Sequence, residues 1–338
     1  MFNRITVLGD GAMATVCALL LDSQDATVTM WGPFEEHVEA IFKTRRNDKY
    51  LPGHPLTESI RVTADCEEAM AGVELIVTAI PTQYIRPVWQ RFREHLPAGV
   101  PVVSVAKGIE TQTLLRPTQI IRDVVGDAEG QPRAVAALSG PSIARELARC
   151  LPATVCVAGE DEAFIGGLQE LFTTHWFRVY TNADLLGVEL AGATKNVIAL
   201  AAGIIDGLQA GYNAKSALLS RGLAEITRLG TAMGADAQTF FGIAGVGDLA
   251  TTCFSPEGRN RTAGELLGKG QKLDEVLAQI SGIVEGVPTA QAVMQLARQH
   301  HVEMPIVEAV HDVLFEGLDP IDGISRLMSR KPKEERVG

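Results

Sequence analysis

Short apolar runs rich in β-branched residues alternate with stretches of helical periodicity through the first half of the chain. Ile5–Leu8, Thr27–Trp31, Leu75–Ile80, Val102–Ala106 and Ala134–Ser139 predict strands, and the run Ala12–Leu21 predicts a helix between the first two. Apolar strands separated by helices are the mark of βαβ units, whose parallel sheet is covered on both faces. After Asn182 the pattern changes: Leu185–Gly207, Lys215–Met233, Leu273–Ser281, Thr289–His300 and Ile306–Phe315 all predict helices. The expected architecture is a doubly wound, mostly parallel α/β domain over residues 1–180 and an all-α domain over residues 181–338.

Gly9, Gly11 and Ala14 spell GxGxxA between the first predicted strand and the first predicted helix. In that context the first glycine permits a tight turn and the second lets the backbone approach a pyrophosphate. The small third residue lets helix and strand pack closely, and the helix start offers free N–H groups to the anion. The first domain is therefore expected to be a Rossmann domain that binds a dinucleotide. Asp10 is the oddity, a carboxylate where a negative ligand should lie; it is expected either to turn to solvent or to weaken phosphate affinity. The second strand runs into Trp31-Gly32-Pro33-Phe34-Glu35-Glu36. With no arginine there for a 2′-phosphate and two acids close behind, NAD is favoured over NADP. Glu35 and Glu36 are equally explained as acids that suit a helix N-terminus.

The chain of 338 residues is long enough for two separate cores, and its formal net charge of −11 argues against a nucleic-acid partner. That charge also repels an anionic substrate at long range, so any anion must be caught by a local cluster of cations and backbone donors. The five cysteines are scattered without a CxxC pair, which suggests neither a metal site nor a disulfide framework and fits thiols in a reducing cytoplasm. No secretory leader is apparent, and no segment approaches eighteen uninterrupted apolar residues, so no membrane span is expected. The charged terminal run RKPKEERVG is expected to be a solvated end.

Lys195 lies in the middle of LLGVELAGATKNVIALAAGIIDG, a helix apolar nearly all round. A buried ammonium is costly unless paired or lowered in pKa. Glu189 falls on another face and Asp206 lies about three turns away, so neither is an obvious partner. Lys195 thus reads as an unpaired core charge kept for acid–base use, against the plainer reading of a buried ion pair. Lys107 follows the strand Val102–Ala106, at the strand end where ligands of open α/β sheets gather. In Leu138–Glu146 another strand, turn and helix start recur, where Ser142 could cap the helix or the exposed N–H groups could hold a phosphate. Asp248, in Gly245-Val246-Gly247-Asp248, and the forked cations of Gly258-Arg259-Asn260-Arg261 complete the set; Arg259 or Arg261 could grip a phosphate, and Asp248 alone reads as a helix cap.

Together the segments GDGAMA, KYLPGHPL, AIPTQYIRPV, SVAKGIE, LSGPSIARE, GVELAGATKNVIALAAGIIDG, NAKSALLSRGLAEITRLG, GVGDLATTC, GRNR, EGVPTA and RLMSRKPK closely resemble the NAD(P)-dependent glycerol-3-phosphate dehydrogenase family, in order and over nearly the whole chain. The resemblance implies a C-terminal domain like that of 6-phosphogluconate dehydrogenase, and reversible hydride transfer between NAD(P)H and dihydroxyacetone phosphate for glycerophospholipid synthesis. It makes Lys195, Lys107 and Asp248 catalytic, with Lys195 the proton donor and acceptor. It assigns substrate contacts to Lys107, Gly140, Ser142, Lys195, Asn196, Asp248, Thr252, Gly258, Arg259 and Asn260. Coenzyme contacts fall on Gly9, Gly11, Ala12, Met13, Ala14, Phe34, Lys107, Ala144, Arg259, Ile283 and Glu285. Lys107 is expected to depress the pKa of Lys195 by like-charge repulsion. The resemblance also makes a cytoplasmic homodimer plausible.

Two departures stand out: Gly258 replaces the usual serine before Arg-Asn, and the second strand lacks the arginine common in bacterial members. One rival is a related two-domain reductase of ketopantoate or a 3-hydroxyacid, which would lack the phosphate clamp. The other is a non-catalytic NAD-binding regulator, which would be free to lose its lysines.

Overall fold

The computed structural model describes residues 2–127, 132–332 and 334–335, so the terminal charged run falls partly outside them. The chain forms two compact units, Met1–Ala106 with Pro117–Leu185, and Lys107–Arg116 with Leu186–Gly338.

The first unit is built on one sheet of eight strands: β1 Arg4–Leu8, β2 Thr27–Trp31, β3 Arg61–Thr63, β4 Leu75–Thr78, β5 Val102–Ser104, β6 Val135–Ser139, β7 Ala153–Gly159 and β8 Phe177–Asn182. Their order is β3-β2-β1-β4-β5-β6-β7-β8, parallel throughout except for the antiparallel pair β6 and β7. The expected doubly wound, mostly parallel sheet is thus present. The order reverses between β1 and β4, the switch point at which such sheets bind ligands beyond their strand ends. β4 stops short of the expected Ile80 because Pro81 caps the helix Thr82–Phe92 and cannot extend a ladder. Three strands carried no separate expectation. β3 is too short for a period, and the edge strand β8 alternates buried and exposed residues instead of forming an apolar run.

The second unit is helical, as expected, and its core is organised around Leu185–Gly207. By length and composition this helix could cross a membrane, yet 94% of its most apolar window is buried inside the protein. Its small residues let a second helix, Arg259–Gly268, approach backbone to backbone. A Cβ on Gly203 would strike Arg261 O, and one on Gly264 would strike Leu200 O. This close crossing brings Asn196 and Asn260 within hydrogen-bonding distance.

A buried carboxylate ties two other helices. Glu225, within Gly211–Ala232, accepts hydrogen bonds from Ile306 N at 2.8 Å and Val307 N at 3.2 Å, the first donors of the helix Pro305–Phe315. Burial outweighs these donors and pushes its carboxyl up to about 7. Because the folded value lies above the ordinary 4.5, the proton's stabilisation is complete below pH 4.5 and lost as pH rises through about 7. Wild type should therefore lose stability relative to Glu225→Gln across that window in urea denaturation; a pH-independent difference would contradict the assignment.

Candidate active site

The chemical centre of the helical unit starts from glycines. Ile243–Gly247 forms one π-helical turn, a geometry that recurs at functional sites, and runs directly into the helix Asp248–Phe254. Asp248 is therefore the first residue of a helix whose N-cap is Gly247. Its side chain does not cap. Asp248 Oδ1 accepts from Lys195 Nζ at 2.5 Å and Oδ2 from Lys107 Nζ at 2.7 Å, so one carboxylate bridges two ammonium groups. Lys195 is 6% exposed and Asp248 1%. The expectation of an unpaired core lysine is thus corrected: Lys195 is ion-paired, to a residue that the helix's own sequence could not supply. Thr252, one turn after Asp248, accepts from Lys195 Nζ at 2.7 Å and donates to Asp248 O at 2.7 Å.

Burial lowers Lys195 from its ordinary 10.5 to about 8; Asp248 opposes that fall and Lys107 adds to it. Desolvation, more than like-charge repulsion from Lys107, is therefore the main cause. Burial disfavours the Asp248 carboxylate, but the two ammonium groups together hold its carboxyl below the ordinary value.

A chain of hydrogen bonds fixes the surroundings. Asn196 Nδ2 donates to Lys107 O at 3.0 Å, Asn260 Nδ2 to Asn196 Oδ1 at 2.9 Å, and Gly286 N to Asn260 Oδ1 at 2.8 Å. Gly258 is the N-cap of the helix Arg259–Gly268, and Arg259 at its first position is exposed. Nη1 of Arg259 lies where a side chain on Gly282 would begin, and Ile283 and Glu285 follow before the helix Gly286–Gln299. Arg261 is committed elsewhere: it donates to Asp206, which also accepts Lys215 at 2.7 Å. The buried Glu189 pairs with the half-buried Arg116, an ion pair that sequence reasoning did not anticipate.

In the first unit the fingerprint glycines form one loop. Gly9 has φ +127°, and a Cβ there would lie 2.5 Å from Ala79 O. Gly11 is the N-cap of Ala12–Asp22 with no side-chain cap, and nothing lies within 4 Å of where its Cβ would be. Ala12 and Met13 open that helix, and Ala14 is buried against Gly9. An open space before uncapped N–H groups fits a dinucleotide pyrophosphate. Phe34 is exposed and is the N-cap of Glu35–Thr44, so Glu35 and Glu36 are first-turn residues. Ser142 is not a cap; it donates to Gly140 O at 2.9 Å, and Ile143 precedes the four-residue helix that starts at Ala144. Asp10 does not turn to solvent but is buried beside His37, which sequence reasoning missed along with Asn47.

Family models described as the N-terminus and the C-terminus of NAD-dependent glycerol-3-phosphate dehydrogenase match residues 4–165 and 184–325. Glycerol-3-phosphate dehydrogenase, NAD(P)+, of Bacillus pumilus (strain SAFR-032) is 48% identical over 333 residues, covering 98% of this chain and 96% of that one. The enzyme of the same name from Thermobifida fusca (strain YX) is 46% identical over 337 residues, 99% of each chain. Among solved structures, glycerol-3-phosphate dehydrogenase from Coxiella burnetii superposes with a TM-score of 0.93 at 34% identity, over 97% of this chain and 99% of that one. A ketopantoate reductase from Ralstonia eutropha shares the fold alone, at 12% identity and a TM-score of 0.59.

Neutralising the bridging carboxylate should leave the buried Lys195 ammonium facing the half-buried Lys107 with no countercharge between them. Asp248→Asn is expected to cost about 3–5 kcal/mol in urea denaturation. Adding Lys107→Met should restore part of that loss by removing one unbalanced charge; an Asp248→Asn protein as stable as wild type would contradict the bridge.

Proposed function

The chain belongs to the NAD-dependent glycerol-3-phosphate dehydrogenase family, and from that membership we propose which residues carry its reaction. It is an NAD(P)-dependent oxidoreductase that interconverts dihydroxyacetone phosphate and glycerol 3-phosphate. Lys195 is the proton donor in reduction and the acceptor in oxidation. The observation that carries this is the Lys195–Asp248–Lys107 bridge, which holds a buried lysine near the pH at which it can exchange a proton.

The bound nicotinamide supplies a hydride to C2 or accepts one from it. As the carbonyl oxygen gains negative charge, the Lys195 ammonium stabilises it and then donates the proton at Nζ. Asp248 orients both lysines and keeps Lys195 charged against its burial. Asn196, tied to Lys107 O and to Asn260, fixes the lysine's neighbours. Arg259 and Asn260 grip the substrate phosphate with the Gly258 N–H, and this remote binding energy positions C2 for reaction. Arg261, committed to Asp206, is left to hold helices together.

In the first unit the Gly9–Ala14 loop holds the pyrophosphate, and the absence of an arginine after β2 favours NAD over NADP. We extend the reading to a cytoplasmic enzyme whose product supplies the glycerol backbone of phospholipids; its cysteines among the described residues are free thiols. The reading includes a homodimer, on the strength of the family resemblance.

Reduction needs the charged lysine, so kcat/KM for dihydroxyacetone phosphate should fall as pH rises through about 8, and that for glycerol 3-phosphate oxidation should rise through the same value. Asp248→Asn removes a charge that favours the ammonium, so the limb that remains should move to lower pH. Lys195→Met is expected to cost about 10³-fold or more in kcat; near-normal turnover would remove Lys195 from its role.

Arg259→Ala should raise KM for the phosphorylated substrate about 100-fold while affecting the poor turnover of unphosphorylated dihydroxyacetone far less. Arg261→Ala should act on stability instead. Equal wild-type use of phosphorylated and unphosphorylated substrate would discredit the clamp.

A further inference from the structure

The residue between the two fingerprint glycines, Asp10, is 9% exposed, and its Oδ2 lies 2.8 Å from His37 Nδ1. The helix that begins at Ala12 presents its positive end to this loop, which makes an acid tolerable there. From below, the fully buried Asn47 donates through Nδ2 to Asp10 O and to Thr15 Oγ1, both at 2.8 Å, so the loop backbone is fixed. His37 is pinned in turn, edge-on to Tyr50 with ring centroids 5.3 Å apart. Its Nε2 is buried without a partner among the described residues, so the bond to Asp10 is what orients the ring.

The direction of this carboxylate is what matters. In Rossmann domains the position at the end of the second strand usually carries the acid that accepts from the adenosine ribose 2′-hydroxyl. Here β2 ends at Trp31 and the next residue, Gly32, has no side chain. A Cβ built on Gly32 would lie 2.9 Å from Asp10 Cβ and 3.0 Å from Asp10 Oδ2. Asp10 therefore fills, from the β1 side, the space that an acid on β2 would occupy. The first cations after β2 are engaged elsewhere: Lys43 pairs with Glu39, and the Arg45 guanidinium donates to the carbonyls of Thr57 and Ile60. Lys49 lies over the Tyr50 ring.

We propose that Asp10 is the coenzyme-selecting residue of this enzyme, accepting from the ribose 2′-hydroxyl of NAD(H) and repelling the 2′-phosphate of NADP(H). This deepens the NAD reading above and rests on it. It also gives a use to a carboxylate that would otherwise only weaken a phosphate loop. Gly32 becomes part of the same device, since a side chain there would crowd both the acid and Val38 Cγ2, 2.8 Å from where its Cβ would lie.

The test is calorimetric titration of the intact protein with NADH and with NADPH, for wild type, Asp10→Asn and Asp10→Ser. The ratio of the two dissociation constants is the readout, because damage to the loop alone weakens both coenzymes together. Both variants should bind NADPH relative to NADH about tenfold better than wild type, or more, as expected for loss of one charge contact. A ratio that stays within twofold of wild type in both variants overturns the proposal, whatever happens to the absolute affinities. The wild-type ratio tests the underlying reading separately. Tighter NADPH binding by wild type defeats the NAD preference, while a shift on substitution still assigns the discrimination to Asp10.

Discussion

A buried lysine and a half-buried one cannot sit side by side without a countercharge, and the helical unit is built around supplying that charge. Asp248 gives one oxygen to each ammonium, and both partners are brought to it from distant parts of the chain. Lys195 comes from the middle of the central helix, while Lys107 comes from a ten-residue segment that follows β5 and belongs with the helical unit rather than with the sheet. The carboxylate meets them because a π-turn delivers it at the start of a short helix. Each ion's desolvation is offset only while all three are in place, so the geometry of the reacting group and the stability of the unit depend on the same contacts.

The electrostatic balance sets the chemistry. A lysine in water holds its proton too firmly to return it readily near neutral pH, and an unpaired buried lysine would lose its proton altogether. Burial drives Lys195 down, Asp248 restores part of the loss, and the result is an ammonium at about 8. A similar division of labour appears in the Gly258–Arg261 segment, where Asp206 takes up Arg261 and Lys215, and Arg259 stays exposed two residues earlier. Residues two apart on a helix face different ways, so only one arginine of the Gly-Arg-Asn-Arg segment can join the site.

Much of the first unit was legible in the sequence because its central strands are continuous apolar runs and its phosphate loop is a local motif. The edge strand β8 was less legible because half its residues face away from the core. The burial of Lys195 could be inferred from its apolar helix, but its partner could not. Asp248 lies 53 residues from Lys195 and 141 from Lys107, and nothing in local periodicity joins them. Asp10 misled for a related reason: as a lone acid in a glycine loop it reads as exposed, and only the fold brings His37 and the bare end of β2 beside it. The close crossing of Gly203 and Gly264 was likewise invisible, since small residues in an apolar helix signal packing without naming the neighbour.

Burial and Asp248 together set the proton affinity of Lys195, which an NMR titration of lysine side-chain signals in the resting protein measures, with Lys195 assigned by its absence from Lys195→Met. A lysine titrating near 8 in wild type, and lower still in Asp248→Asn, is the predicted result. A Lys195 signal that titrates at the ordinary 10.5 in both proteins would contradict the account.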